Sequence, residues 1–182
     1  MAIDEKKLIK GCIKGSRQAQ EQLYQIFSGQ MFAICLRYTK AQQEAEDVLQ
    51  ESFIKVFKQI KNYKGEVPVV HWIKKIVINT ALNSQRSKLY LHPMVDVEEL
   101  KESRGEDRDV TDYTMEELMS MIHELPGSSQ IIFNLYAIEG YKHHEIAEML
   151  DISVGTSKSQ YSRAKFLLRE RMKENSKSYG RS

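Results

Sequence analysis

Lys158, Ser159, Gln160, Arg163 and Lys165 fall within eight consecutive positions and offer cationic, hydroxyl and amide groups. Such groups hydrogen-bond base edges in the major groove of duplex DNA and neutralise the neighbouring phosphates. A second constellation, His143-His144-Glu145, has the side chains of a zinc-dependent hydrolase. That chemistry needs another histidine one helical turn further on, and the position is occupied by Glu148. The spacing therefore speaks against an enzyme, and His143 and His144 read as exposed residues opening a helix. Neither a metal nor a cofactor is expected.

Groups aimed at a groove need a rigid element that can enter it. The run Glu145-Ile146-Ala147-Glu148-Met149-Leu150-Asp151-Ile152-Ser153-Val154-Gly155-Thr156 has the grammar of a helix-turn-helix. Ala147 is small enough for two helices to cross closely, and Ile146, Leu150 and Ile152 can wedge between them. Asp151 occupies the turn, where the left-handed backbone tolerates Asp better than most residues. Ser153 caps the second helix, placing the amides of Val154, Gly155 and Thr156 at a positive end suited to phosphate. Lys158, Ser159, Gln160, Arg163 and Lys165 then project from that helix. The unremarkable alternative is a helical hairpin with a serine cap, and the basic flank argues against it.

The remaining elements also read as helices. Asp4 caps a first one reaching about residue 13, and Gly15-Ser16 stops it and starts a second, whose middle Ser28-Gly29 weakens. A third, about 41 to 60, carries Ala45, Val48, Leu49, Phe53, Val56, Phe57 and Ile60 on one stripe, with a polar opposite face. Gly65 and Pro68 make 61 to 68 a loop. A fourth helix, about 69 to 91, turns Trp72, Ile73, Ile76, Val77, Thr80 and Ala81 to the core. Thr114 caps a further helix, and Ser128 or Ser129 caps the next, which stops at Gly140. Nothing reads as a strand.

Charge divides the chain into blocks. Residues 52 to 91 hold eight basic side chains against Glu66 alone, and residues 152 to 182 hold eight against Glu170 and Glu174. Between them, 94 to 117 hold ten acids and only Lys101, Arg104 and Arg108. Two basic ends and an acidic spacer suit two contacts with a polyanion. The fold class expected is all-α, with two small helical domains, 1–92 and 114–182, joined by an acidic flexible linker, 93–113. No stretch approaches the roughly 20 apolar residues that cross a bilayer, so no membrane insertion is expected and the chain reads as cytoplasmic. Cys12 and Cys35 form no CxxC pair, which leaves disulfide and structural zinc without support.

Residues 125 to 169 resemble region 4 of bacterial sigma factors of the extracytoplasmic-function (ECF) group, in Glu145-Ile146-Ala147, Ile152-Ser153-Val154-Gly155-Thr156 and Ser162-Arg163-Ala164. Ala45-Glu46-Asp47-Val48-Leu49-Gln50-Glu51-Ser52-Phe53 resembles the polymerase-binding segment of region 2. Trp72-Ile73-Lys74-Lys75-Ile76, with Asn79, Leu82 and Arg86, resembles its promoter-melting helix. The resemblance implies a sigma region 2 four-helix domain and a sigma region 4 helix-turn-helix domain in a dissociable initiation subunit. Its partners would be core RNA polymerase, promoter DNA both duplex and melted, and an anti-sigma factor.

On that resemblance Asp47, Gln50 and Glu51 would dock on a coiled coil of the largest polymerase subunit. Lys74, Lys75 and Arg86 would hold phosphates of the melted strand, Asn79 and Asn83 would hydrogen-bond a flipped base, and the loop containing Tyr63 and Lys64 would wall its pocket. Upstream duplex would meet Ser153, Gly155, Thr156, Lys158, Ser159, Gln160, Arg163 and Lys165. The sequence departs from the family pattern at Ser157 and Tyr161, usually apolar and Leu, and at Gln160, commonly Arg. Asn83 stands where Asp is common, and Pro68-Val69 replaces small and aromatic loop residues. Gln160 would favour adenine over guanine. The competing reading is a conventional helix-turn-helix regulator acting without polymerase, which would have no use for a region 2.

Overall fold

The computed structural model describes residues 4–90 and 113–179, with the side chains of 86–90 and 175–179 outside the description. The linker expected over 93–113 lies, apart from Tyr113, outside the described residues. Every regular element among those described is helical. The chain divides into two compact units, Met1–Ser87 and Lys88–Ser182.

The first unit contains α1 (Glu5–Ile13), α2 (Arg17–Tyr38), α3 (Gln42–Gln59), a 3₁₀ turn (Ile60–Asn62) and α4 (Val69–Tyr90). Its starts are set by local hydrogen bonds: Asp4 accepts from the Lys7 amide at 3.1 Å, and Ser16 accepts from the Ala19 amide at 3.4 Å. Gly29 does not break α2, which runs through without interruption. Packing on both sides overrides the local cost of a mid-helix glycine, about 1 kcal/mol. Leu23, Met31, Ile73 and Ile78 are fully buried, each stabilising the unit by roughly 1.5–3 kcal/mol. Along α4, Ile73, Val77, Thr80 and Ala81 are buried as expected, while Trp72 and Ile76 are only half-buried. The helices α1 and α2 cross so closely at Gly11 that a Cβ there would stand 2.7 Å from that of Ala19. Cys12 and Cys35 are buried and free, and burial pushes the Cys35 thiol up to about 12. Such thiols are inert core residues.

The second unit contains α5 (Met115–His123), α6 (Gly127–Phe133), a π-helical turn (Asn134–Ile138), α7 (His143–Leu150) and α8 (Val154–Tyr179). Thr114 and Glu117 cap α5 reciprocally: the Glu117 amide donates to the Thr114 hydroxyl at 3.2 Å, and the Thr114 amide to the Glu117 carboxylate at 2.8 Å. The expected serine cap of the next helix is not formed. That helix starts at Gly127 behind Pro126, and Ser129 is buried instead. Met121, Ile122 and Leu125 pack against Ala164 and Leu168 of α8. Further along α8, Arg171 donates to the Met121 and Glu124 carbonyls at 3.2 and 3.3 Å, and the Tyr113 hydroxyl donates to the Met172 carbonyl at 2.7 Å.

Candidate nucleic-acid interface

In the second unit α7 ends at Asp151, whose φ of 55° and ψ of 52° are left-handed. The Ile152 amide then donates to the Ala147 carbonyl at 3.1 Å and turns the chain into α8. Ser153 accepts from the Thr156 amide at 2.9 Å, forming the expected cap. Ser153, Val154, Gly155 and Lys158 are exposed, and Ser159, Arg163 and Lys165 are half-buried. The Lys165 ammonium lies 5.2 Å above the Tyr161 ring, held near the helix surface by cation–π attraction.

Two residues expected to meet DNA do not project. Gln160 is 2% exposed, and its side-chain carbonyl accepts from the Ser129 hydroxyl at 2.7 Å. Its amide is therefore not presented to a base edge. The physical reason lies in register: 157, 160, 164 and 168 fall on one helical stripe, and Ala164 and Leu168 are core residues. Thr156 is 7% exposed, and its hydroxyl lies 2.8 Å from that of Ser153. With its amide also bonded to Ser153, Thr156 completes the cap, and Val154 and Gly155 carry the outward amides of the first turn.

His143 also differs from expectation, since it is half-buried. Its ring stacks on Tyr136 at 4.3 Å, and Nδ1 lies 2.9 Å from the hydroxyl of fully buried Ser157. Desolvation, and secondarily the charge of Lys158, lowers its pKa below the ordinary 6.5. Glu145 accepts from the Lys142 amide at 2.7 Å, which makes it the cap of α7. The signal for Ser157 in the sequence was its place on the stripe of 160, 164 and 168, and none marked His143 as its partner.

In the first unit Asp47, Gln50 and Glu51 are exposed on one face of α3. Glu51 pairs with Lys55 at 2.7 Å, and the Lys55 ammonium reaches the Thr80 hydroxyl of α4 at 3.3 Å. Ile54 continues the same face and is 54% exposed. Sequence reading missed it, although an isoleucine standing off the buried stripe was the available clue.

Lys75, Asn79 and Asn83 are exposed and succeed one another every four residues along α4, with Lys74 half-buried beside them. Lys64 is exposed in the loop that precedes the helix. The side chain of Arg86 lies outside the described residues. The Tyr63 hydroxyl donates to the Val67 carbonyl, and its ring lies 5.5 Å from Trp72. Gly65, with φ of 76°, makes the reversal between Tyr63 and Val67 that the bond closes. At the loop's far end the Val69 amide donates to the Glu5 carboxylate of α1 at 3.4 Å. Among the described residues no cluster of His, Cys, Asp and Glu could hold a metal ion, and no helix is long and apolar enough to cross a membrane.

Comparison with known proteins bears on both units. The family model for sigma-70 region 2 matches residues 23–89, and that for sigma-70 region 4 matches residues 115–166. The ECF RNA polymerase sigma-E factor of Haemophilus influenzae is 24% identical over 182 aligned positions, covering 93% of this chain and 96% of the relative. The RNA polymerase sigma-H factor of Pseudomonas aeruginosa is 26% identical over 173, covering 88% and 90%. In fold the chain is similar to the sigma factor RpoE of Bartonella quintana, solved with the anti-sigma factor NepR, at a TM-score of 0.54 and 17% identity. That likeness covers 84% of this chain and 96% of the other.

Proposed function

The chain belongs to the ECF group of the sigma-70 family, factors that bind core RNA polymerase and direct it to promoters, and from that premise we propose how its residues divide the work. Asp47, Gln50 and Glu51 form the polar part of the polymerase contact, and Ile54 supplies an apolar anchor among them. An exposed isoleucine within an acidic face is the composition of an interface, where apolar contact gives affinity and charge gives orientation. The expected outcome of Asp47→Lys is weakened binding to core polymerase with an unchanged circular dichroism spectrum.

Lys64, Lys74, Lys75 and Arg86 hold the backbone of the melted strand, and Asn79 and Asn83 hydrogen-bond its bases. Unstacking a base step costs a few kcal/mol, so opening proceeds only when the exposed strand is captured. Tyr63 shapes the loop that walls the pocket of the captured base. At the upstream element, the Val154 and Gly155 amides, the Ser153 hydroxyl and the Lys158, Ser159, Arg163 and Lys165 side chains meet phosphates and base edges. Gln160 and Thr156 support that helix from within. The protein performs no covalent chemistry of its own and acts in the cytoplasm with the polymerase. An anti-sigma factor, such as the one bound to the Bartonella quintana relative, holds it inactive.

The observation that carries this reading is the pair of sigma-70 regions, matched in order along the chain. The test is transcription by purified core polymerase on fragments of the source genome. Initiation at defined sites only when the protein is added supports the reading. Binding of duplex DNA without polymerase, and no transcript with it, would favour the conventional regulator.

A further inference from the structure

Both ends of the loop over residues 63–68 are held by one element, α1, which lies outside the span matched by the region 2 model. At the loop's start, α1 packs against the 3₁₀ turn Ile60–Asn62, whose Ile60 is buried. At its finish, the Glu5 carboxylate accepts from the amide of Val69, the first residue of α4. Glu5 is also the first residue of α1. Two helix N-termini therefore converge on one carboxylate, and each favours a negative charge there. Within the loop the Tyr63 hydroxyl bonds the Val67 carbonyl. Burial and, second to it, the Glu5 charge raise the Tyr63 pKa.

We propose that Glu5 is a positioning residue for promoter opening: bridging α1 to the Val69 amide, it holds the 63–68 loop ready to receive the displaced strand. This rests on assigning the loop and α4 to strand capture. A loop already held in shape loses less conformational freedom when DNA arrives, so the capture step proceeds from a smaller entropic deficit. The contribution of one such hydrogen bond corresponds to about a three- to tenfold change in an equilibrium or rate.

Sign separates this role from simple electrostatics. Glu5 is exposed and acidic beside a basic segment that meets a polyanion. If its charge were all that mattered, Glu5→Ala and Glu5→Gln would both strengthen binding to DNA, and equally. A positioning role predicts that they differ, because glutamine keeps a carbonyl oxygen that can accept from Val69 and alanine keeps none.

The experiment uses holoenzyme assembled from core polymerase and the full chain, on a promoter located by the transcription assay. Permanganate reactivity follows opening, and filter binding at low temperature follows the closed complex. For Glu5→Ala we expect opening about three- to tenfold slower with closed-complex affinity undiminished, and for Glu5→Gln a rate between that of Glu5→Ala and the wild type, because the amide oxygen accepts from Val69 without the charge. Opening by Glu5→Ala at or above the wild-type rate, or identical behaviour of the two variants, overturns the proposal. Parallel loss of closed-complex affinity and opening overturns it too, because that would mark a residue needed only for folding. Asn79→Ala, measured alongside, separates the levels. If it slows opening while Glu5→Ala does not, the positioning role alone fails; if it opens normally, the assignment of α4 fails and the proposal with it.

Discussion

Gln160 is a polar residue that the fold has buried and His143 one that it has half-buried, and both have measurable consequences. Gln160→Ala leaves the Ser129 hydroxyl without its acceptor and opens a cavity beside Ala164, so the second unit should lose about 2–4 kcal/mol in urea denaturation. A loss under about 0.5 kcal/mol would show that the amide is not structural. For His143, the folded pKa lies below the unfolded value, so the unfolded chain binds more protons as pH falls. Stability contributed by neutral His143 is therefore full above about 6.5 and declines as pH drops below it toward the folded value. The denaturation midpoint of the second unit should fall between pH 7.5 and pH 5.5, and His143→Asn should flatten that fall. Residue type misled the sequence reading at these positions because glutamine, serine and histidine usually face water. Periodicity was the better guide: 157, 160, 164 and 168 were already one stripe.

At the level of elements, most of the architecture was legible. Helix starts followed capping chemistry at Asp4, Ser16, Thr114 and Ser153, where a short side chain bonds a free amide within three residues. Of the caps expected from sequence, the one that did not form was at α6, whose two serines resemble caps but whose start lies behind Pro126. No local signal could show that Ser129 has a partner 31 positions away, since that bond exists only once α6 meets α8. Nor could sequence show where α1 crosses α2. The crossing at Gly11 leaves no room for a methyl, and Ala19 opposite cannot retreat without moving its helix. Gly11→Ala gains about 1 kcal/mol in helix propensity but overpacks the contact by more. A net destabilisation of the first unit by about 1–2 kcal/mol should appear in chemical denaturation. A stabilised variant would mean the two helices approach less closely.

Across the whole molecule, charge governs the encounter with promoter DNA. The net charge is only +2, yet the basic side chains sit in two blocks, so affinity should respond to salt as for a far more basic protein. Promoter binding by the holoenzyme should weaken steeply as salt rises from roughly 50 to 200 mM, and Lys158→Ala should reduce the log–log slope by about 1 if the lysine meets a phosphate. An unchanged slope would place Lys158 away from the backbone. The length of α8 adds a different consequence. Its 26 residues make a rod of roughly 39 Å, gripped at the far portion by Arg171 and by the Tyr113 hydroxyl at Met172. Held only there, a rod of that length would be a lever arm, and a tilt of about 5° would sweep Ser153 through about 2 Å, more than the tolerance of a hydrogen bond to a base edge. The near portion is pinned as well, to α6 through Gln160 and Ser129 and to α7 through Ser157 and His143. These polar contacts turned away from the surface are therefore the sighting mechanism of the helix proposed to read DNA.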